Sequence, residues 1–149
     1  MSSYKRIVVG TDGSDTSMHA VDRAAQLARD ASAELTLVTA YRPESRTVIK
    51  QADDALGEDA FLVVGSAPAE SMLRNAADRA RSRGAGAVHT LAVQGNPVEV
   101  LEDAVTEIDA DLLVVGNVGL NTLSGRILGS VPQSAARKSD VDVLIVHTS

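Results

Sequence analysis

Residues 116–130, GNVGLNTLSGRILGS, hold the spacing in this chain best suited to chemistry. Gly116 and Gly119 are separated by two residues, and nine more lead to the pair Gly129-Ser130. A glycine lets a ligand approach the backbone where a Cβ would stand in the way. In front lies Asp111-Leu112-Leu113-Val114-Val115, an apolar run closed by glycine, which reads as a buried strand. Behind lies Val131-Pro132-Gln133-Ser134-Ala135-Ala136-Arg137-Lys138, which with Ser130 as cap reads as a helix start. The stretch thus joins the carboxyl end of a strand to the amino end of a helix. Unpaired amides and the helix dipole favour an anion there. It reads as a phosphate loop.

Composition narrows the ligand. The formal charge of −6 opposes a polyanionic partner, and one Phe, two Tyr and no Trp leave little to stack on bases. Nucleic acid is therefore disfavoured, while one small nucleotide in a local pocket is not. No cysteine is present, so disulfide and thiolate-metal chemistry are out. His19, His89 and His147 are scattered without metal-ligand spacing, so no metal site is expected. No Gly-x-Ser-x-Gly elbow appears, and the loop holds no Lys and no poised base. Binding rather than turnover is expected, with hydrolysis at most slow. No apolar run reaches membrane-spanning length and no signal-peptide core is seen, so the expectation is a soluble, cytoplasmic protein.

The elements that must position the loop follow from periodicity. At 149 residues the chain suits one domain with a substantial core. Ile7-Val8-Val9 ends at Gly10 as a first strand, and Thr11-Asp12-Gly13-Ser14 turns into a helix over 15–30 with Ser14 as cap. Leu35 to Ala40 is a second strand. Residues 41–60 are polar and aperiodic, an irregular excursion reaching to about 65, with Phe61–Val64 a short extended run. Ala69–Arg83 fits a helix with Met72, Leu73, Ala76 and Ala80 inward and Arg79, Arg81 and Arg83 outward, ended by Gly84 and Gly86. Val88–Val93 is a third strand, and Asn96-Pro97 opens a helix burying Val98, Leu101, Ala104, Val105 and Ile108. Asp111–Val115 is the fourth strand, Ser130–Lys138 the last helix and Val141–His147 the fifth strand.

Apolar strands alternating with helices predict a parallel sheet covered on both faces. The fold class is α/β, a single doubly wound, Rossmann-like domain of five strands in the order 3-2-1-4-5. Val8-Val9-Gly10-x-x-Gly13 and Val114-Val115-Gly116-x-x-Gly119 repeat one form at the ends of strands one and four. Those ends would share one crevice, although Val63-Val64-Gly65 shows that such an ending is also common strand grammar.

The spacing Gly-x2-Gly-x9-Gly-Ser, with Ile7-Val8-Val9-Gly10-Thr11-Asp12-Gly13-Ser14 at the start and Val141-Asp142-Val143-Leu144-Ile145-Val146 at the end, resembles the universal stress protein family. The likeness spans essentially the whole chain and is weakest over 41–65. Within the family it looks nearest to actinobacterial members with the run Val-Gly-Asn-Val-Gly-Leu, whose ligands include cyclic AMP and ATP. The resemblance implies an adenine nucleotide at the crevice of strands one and four, Mg²⁺ accompanying ATP, and a stress-response sensor or nucleotide sink. Its site residues map to Gly10, Thr11, Asp12, Ala40, Val115, Gly116, Asn117, Val118, Gly119, Gly129, Ser130 and Val131. Gly116, Gly119 and Gly129 would admit ribose and phosphate, and Ser130 with Val131 would bind phosphate oxygens. Asp12 would face the ribose or a bridging cation, and Ala40 would meet adenine through its backbone.

The structural alternatives are turn glycines, a capping Ser130, and an Asp12 that only holds its own turn. Arg126, the one cation of the loop, suits a phosphate or a surface salt bridge equally. Pro132 removes an amide near the helix start, and Gly10 stands where some ATP-binding relatives carry Pro. The family also implies a homodimer through residues 141–146, which would cover an apolar edge strand. Two other readings stay open: a slow ATPase or autokinase modified at Thr122 or Ser124, and a structural member without ligand.

Overall fold

Ile7, Val8 and Val9 are all fully buried, so the first strand is covered on both faces. That burial places it at the centre of the sheet. The computed structural model describes residues 4–41, 66–116 and 141–147. Along the chain run β1 (Arg6–Gly10), α1 (Asp15–Ala31), β2 (Glu34–Tyr41), α2 (Ser66–Ser82), β3 (Ala87–Gln94), α3 (Pro97–Ile108), β4 (Leu112–Gly116) and β5 (Asp142–Val146). All neighbouring strands are parallel and their order is β3-β2-β1-β4-β5, as the alternation predicts. The phosphate loop expected beyond Gly116, the helix expected over 130–138 and the irregular excursion expected after Tyr41 lie outside the described residues.

Strand alternation divides the core into two layers. Ile7, Val9, Leu35, Leu37, Leu112 and Val114 face α1 and α2, whose inward stripes are mostly alanine. Val8, Val38, Leu113 and Val115 face α3 through Val100, Leu101, Ala104 and Val105. The α3 stripe therefore turns toward Val100, and Val98 and Ile108, expected inside, are only half-buried.

The helix ends follow local chemistry. The Ser14 hydroxyl accepts the Ser17 amide at 3.2 Å, and Ser32 ends α1 in the left-handed region at φ 53°. Asn96 Oδ1 accepts from Val98 at 2.9 Å, with Pro97 in the first turn of α3. Helix α2 begins at Ser66, earlier than its apolar spacing indicates. Arg79 corrects the outward expectation. Its guanidinium meets Asp22 of α1 with two bonds of 2.7 Å, and Arg83 Nε joins at 3.4 Å. The Arg79 hydrogen bonds hold the Asp22 carboxyl below its ordinary range, against the opposing effect of burial.

Candidate functional site

The carboxyl ends of β1 and β4 lie side by side, and the chain leaves them in opposite directions. From β1 it turns to α1 and then β2; beyond β4 the next described strand is β5, on the other side. This is the switch point of a doubly wound sheet, where a crevice opens. Both strands end in buried glycines, Gly10 and Gly116. Val9 is level with Val114, so the two Val-Val-Gly endings are out of step by one residue. By that register Gly10 falls level with Val115, which is buried on the α3 face.

The β1–α1 turn forms one wall. Thr11 is fully buried, and its amide donates to Val38 O of β2 at 3.0 Å. Its hydroxyl accepts the Gly13 amide at 3.1 Å and lies 2.7 Å from the Ser17 hydroxyl. Gly13 sits at φ +83°, a conformation that excludes a Cβ at low cost, and Met72 closes in behind it. Asp12 is exposed, and its Oδ1 accepts the Ser14 amide at 2.9 Å. The turn-holding role of Asp12 is therefore real, and its outer face remains accessible.

This wall is a poor phosphate cradle. The amides of Thr11, Gly13, Ser14, Ser17 and Met18 already donate within the protein. Asp12 and Asp15 are both exposed at the amino end of α1, and their charge opposes an anion there.

Ala40 owes its place to strand parity. Successive residues of a strand turn their backbone groups to alternate sides. Val38 O accepts from Thr11 toward β1, and Tyr41 O accepts the Gly95 amide toward β3 at 3.0 Å. Ala40 shares the parity of Val38, so its backbone N–H and C=O face the side from which β1 has just departed. A flat heterocycle with a donor and an acceptor on one edge fits that position.

A family model described as "Universal stress protein family" matches residues 3–147. The chain belongs to the universal stress protein family. A universal stress protein of Mycobacterium tuberculosis H37Rv is 50% identical over 149 residues, covering 100% of both chains. A solved universal stress protein in complex with cAMP is 47% identical, with a TM-score of 0.73 over 99% of this chain and 100% of that one. The universal stress protein UspA from Lactobacillus plantarum, 21% identical, shares the fold with a TM-score of 0.72 over 98% of this chain and 99% of that one.

Within this universal stress protein, Gly10, Thr11, Asp12, Ala40, Val115 and Gly116 all stand at the carboxyl end of the sheet. Thr11 is the exception in role, since its side chain is sealed inside the turn and only the turn it shapes can meet a ligand. Asn117, Val118, Gly119, Gly129, Ser130 and Val131 lie outside the described residues. Sequence reasoning missed Ser17. A serine three residues after the cap, at the head of the buried stripe that continues with Ala20 and Val21, was its only signal.

A cleft of about 430 Å³ opens at the opposite, amino end of the sheet, lined by Arg6, Glu34, His89 and Glu107 among others. It mixes both charges, and none of the expected site residues line it. His89 there sits 3.4 Å from Glu34, a surface pairing. Among the described residues no three His, Cys, Asp or Glu side chains gather to hold a metal. No described helix is long and apolar enough to cross a membrane.

Proposed function

We propose that this universal stress protein binds an adenine nucleotide in the β1/β4 crevice and serves as a stress-response sensor or sink for it. The observation that carries the reading is the pairing of two glycine-ended strands at the switch point, with the Ala40 backbone directed past the end of β1 beside them. The base lies along Ala40, the ribose crosses Gly10 and Gly116 near Asp12, and the phosphate meets the residues after β4. Gly119, Gly129, Ser130 and Val131 supply that phosphate contact, with Asn117 and Val118 along the loop.

Cyclic AMP is the first ligand to test. A relative with 47% identity has been solved with it. The exposed carboxylates of Asp12 and Asp15 also favour a compact cyclic phosphate over the more highly charged ATP. ATP would need Mg²⁺ to offset those carboxylates, with Asp12 as a candidate outer ligand. Calorimetric titration with cyclic AMP, and in parallel with ATP/Mg²⁺, tests the reading. Tighter binding of cyclic AMP is expected, with loss of heat in Gly119→Val. Folded, nucleotide-free protein that gives no heat with either ligand would sink it. Tighter ATP binding with steady phosphate release would favour the slow ATPase instead.

The chain also assembles, in this proposal, as a homodimer through residues 141–146. In support, β5 pairs only with β4 among the described strands, and Ile145 is exposed. Light scattering at micromolar concentration should return twice the chain mass; a monomer counts against it.

A further inference from the structure

We propose that Thr11 and Ser17 are positioning residues for the nucleotide crevice, acting through a chain of buried hydrogen bonds that sets the β1–α1 turn. The proposal rests on the nucleotide reading above and adds to it two side chains that need not touch the ligand.

Each hydroxyl of the chain has one proton to give. Ser17 Oγ has Ser14 O as an acceptor at 3.0 Å, and Thr11 Oγ1 has Met18 Sδ at 3.8 Å. The two hydroxyl oxygens lie 2.7 Å apart, close enough that one of them donates to the other. Thr11 Oγ1 also accepts the Gly13 amide at 3.1 Å. The chain therefore links the Gly13 N–H, the Thr11 and Ser17 hydroxyls and the Ser14 carbonyl.

Burial makes the chain hard to replace. Thr11 is 0% and Ser17 1% exposed, so water does not take over a lost partner at either hydroxyl. The chain pins Gly13 and Ser14 from the inside, and Thr11 is anchored to β2 through Val38 O. Asp12 lies between these fixed points, and its carboxylate is tied to the Ser14 amide from the outside. The outward face of Asp12 and the Gly10 wall are thereby set by two hydroxyls behind them. Without the Thr11 hydroxyl the Gly13 N–H turns to solvent and the turn relaxes away from β4.

The test is calorimetric titration with cyclic AMP, paired with thermal melts, on wild type, Thr11→Val, Thr11→Ser, Ser17→Ala and Asp22→Asn. Thr11→Val and Ser17→Ala should each weaken binding about tenfold while still folded, the equivalent of one lost hydrogen bond's ordering. Thr11→Ser keeps the hydroxyl and should restore affinity. Asp22→Asn, remote from the crevice, should lower the melting temperature and leave affinity unchanged. A purely structural chain would instead lower melting temperatures in Thr11→Val and Ser17→Ala with wild-type affinity, which overturns the proposal. Should Thr11→Val fail to fold, Ser17→Ala decides alone. A wild type that binds no nucleotide removes the nucleotide reading and this inference together; a binding wild type with indifferent variants removes only the inference.

Discussion

The two ends of the sheet solve the same problem in opposite ways. At the amino end, side chains reach across strands. The Asp111 carboxylate accepts the Lys5 and Arg6 amides at 2.9 and 3.1 Å, and the Tyr4 hydroxyl donates to Asp142 Oδ2 at 2.7 Å. Arg6 lies 3.7 Å from Glu34. At the carboxyl end, β1 and β4 finish in glycine, and the nearby hydroxyls turn inward to Thr11 and Ser17. The first end is crossed by exposed polar bonds beside the open cleft at Glu34 and His89. The second ties the polar groups of its β1–α1 turn behind the surface.

The contrast can be broken most strongly at Gly13. Its φ of +83°, and the 2.7 Å that would separate a Cβ there from the Met72 side chain, make Gly13→Ala costly. About 2 kcal/mol of stability should go, mostly from the backbone conformation. Urea unfolding would read that loss, and nucleotide affinity should fall with it.

Next comes the clamp between the helices. Asp22→Asn removes one charge-assisted bond of a bidentate pair, and partial exposure of Arg79 screens some of the loss, leaving about 1.5 kcal/mol. The pH dependence has a definite sign. The folded carboxyl titrates below its unfolded value of about 4, so its contribution is full above that pH and fades as pH falls through the lower folded value. Asp22→Asn should therefore flatten the acid limb of a stability curve. An unchanged acid limb would mean that the pair contributes nothing.

The smallest effect is expected at the amino end. Asp111→Ala should cost about 1 kcal/mol, because the two amides it frees are exposed and water replaces the carboxylate. Nucleotide affinity should stay at the wild-type value. A drop in affinity comparable to that of Gly13→Ala would show that the two ends are not independent.

Much of this was legible in the chain. The Val, Leu and Ile runs placed β1, β2 and β4, because a strand buried on both faces has no polar alternation to hide it, and the half-buried β3 and β5 were still marked by their β-branched and apolar residues. Ser14 and Asn96 announced their helices as caps, and the two helices begin where those residues stand. The strand order came from the doubly wound pattern rather than from any one residue. The glycine spacing and the strand endings were enough to place the chain in its family. The inward turn of Arg79 was not legible, because its partner Asp22 is 57 residues away on another helix. The offset between the two Val-Val-Gly endings was hidden for the same reason, since register belongs to a pair of strands.

The sequence by itself determined which segments are strands and helices, where glycine ends β1 and β4, and which polar residues can cap or turn. Those are properties of neighbours along the chain, governed by backbone sterics and local hydrogen bonding. Only the tertiary structure decided that Gly10 falls level with Val115 rather than with Gly116, that the Ala40 backbone is directed past the end of β1, and that Thr11 and Ser17 share one buried hydrogen bond. Each of those depends on the sheet's register and on water being excluded from a particular corner, and both arise only when distant apolar surfaces pack.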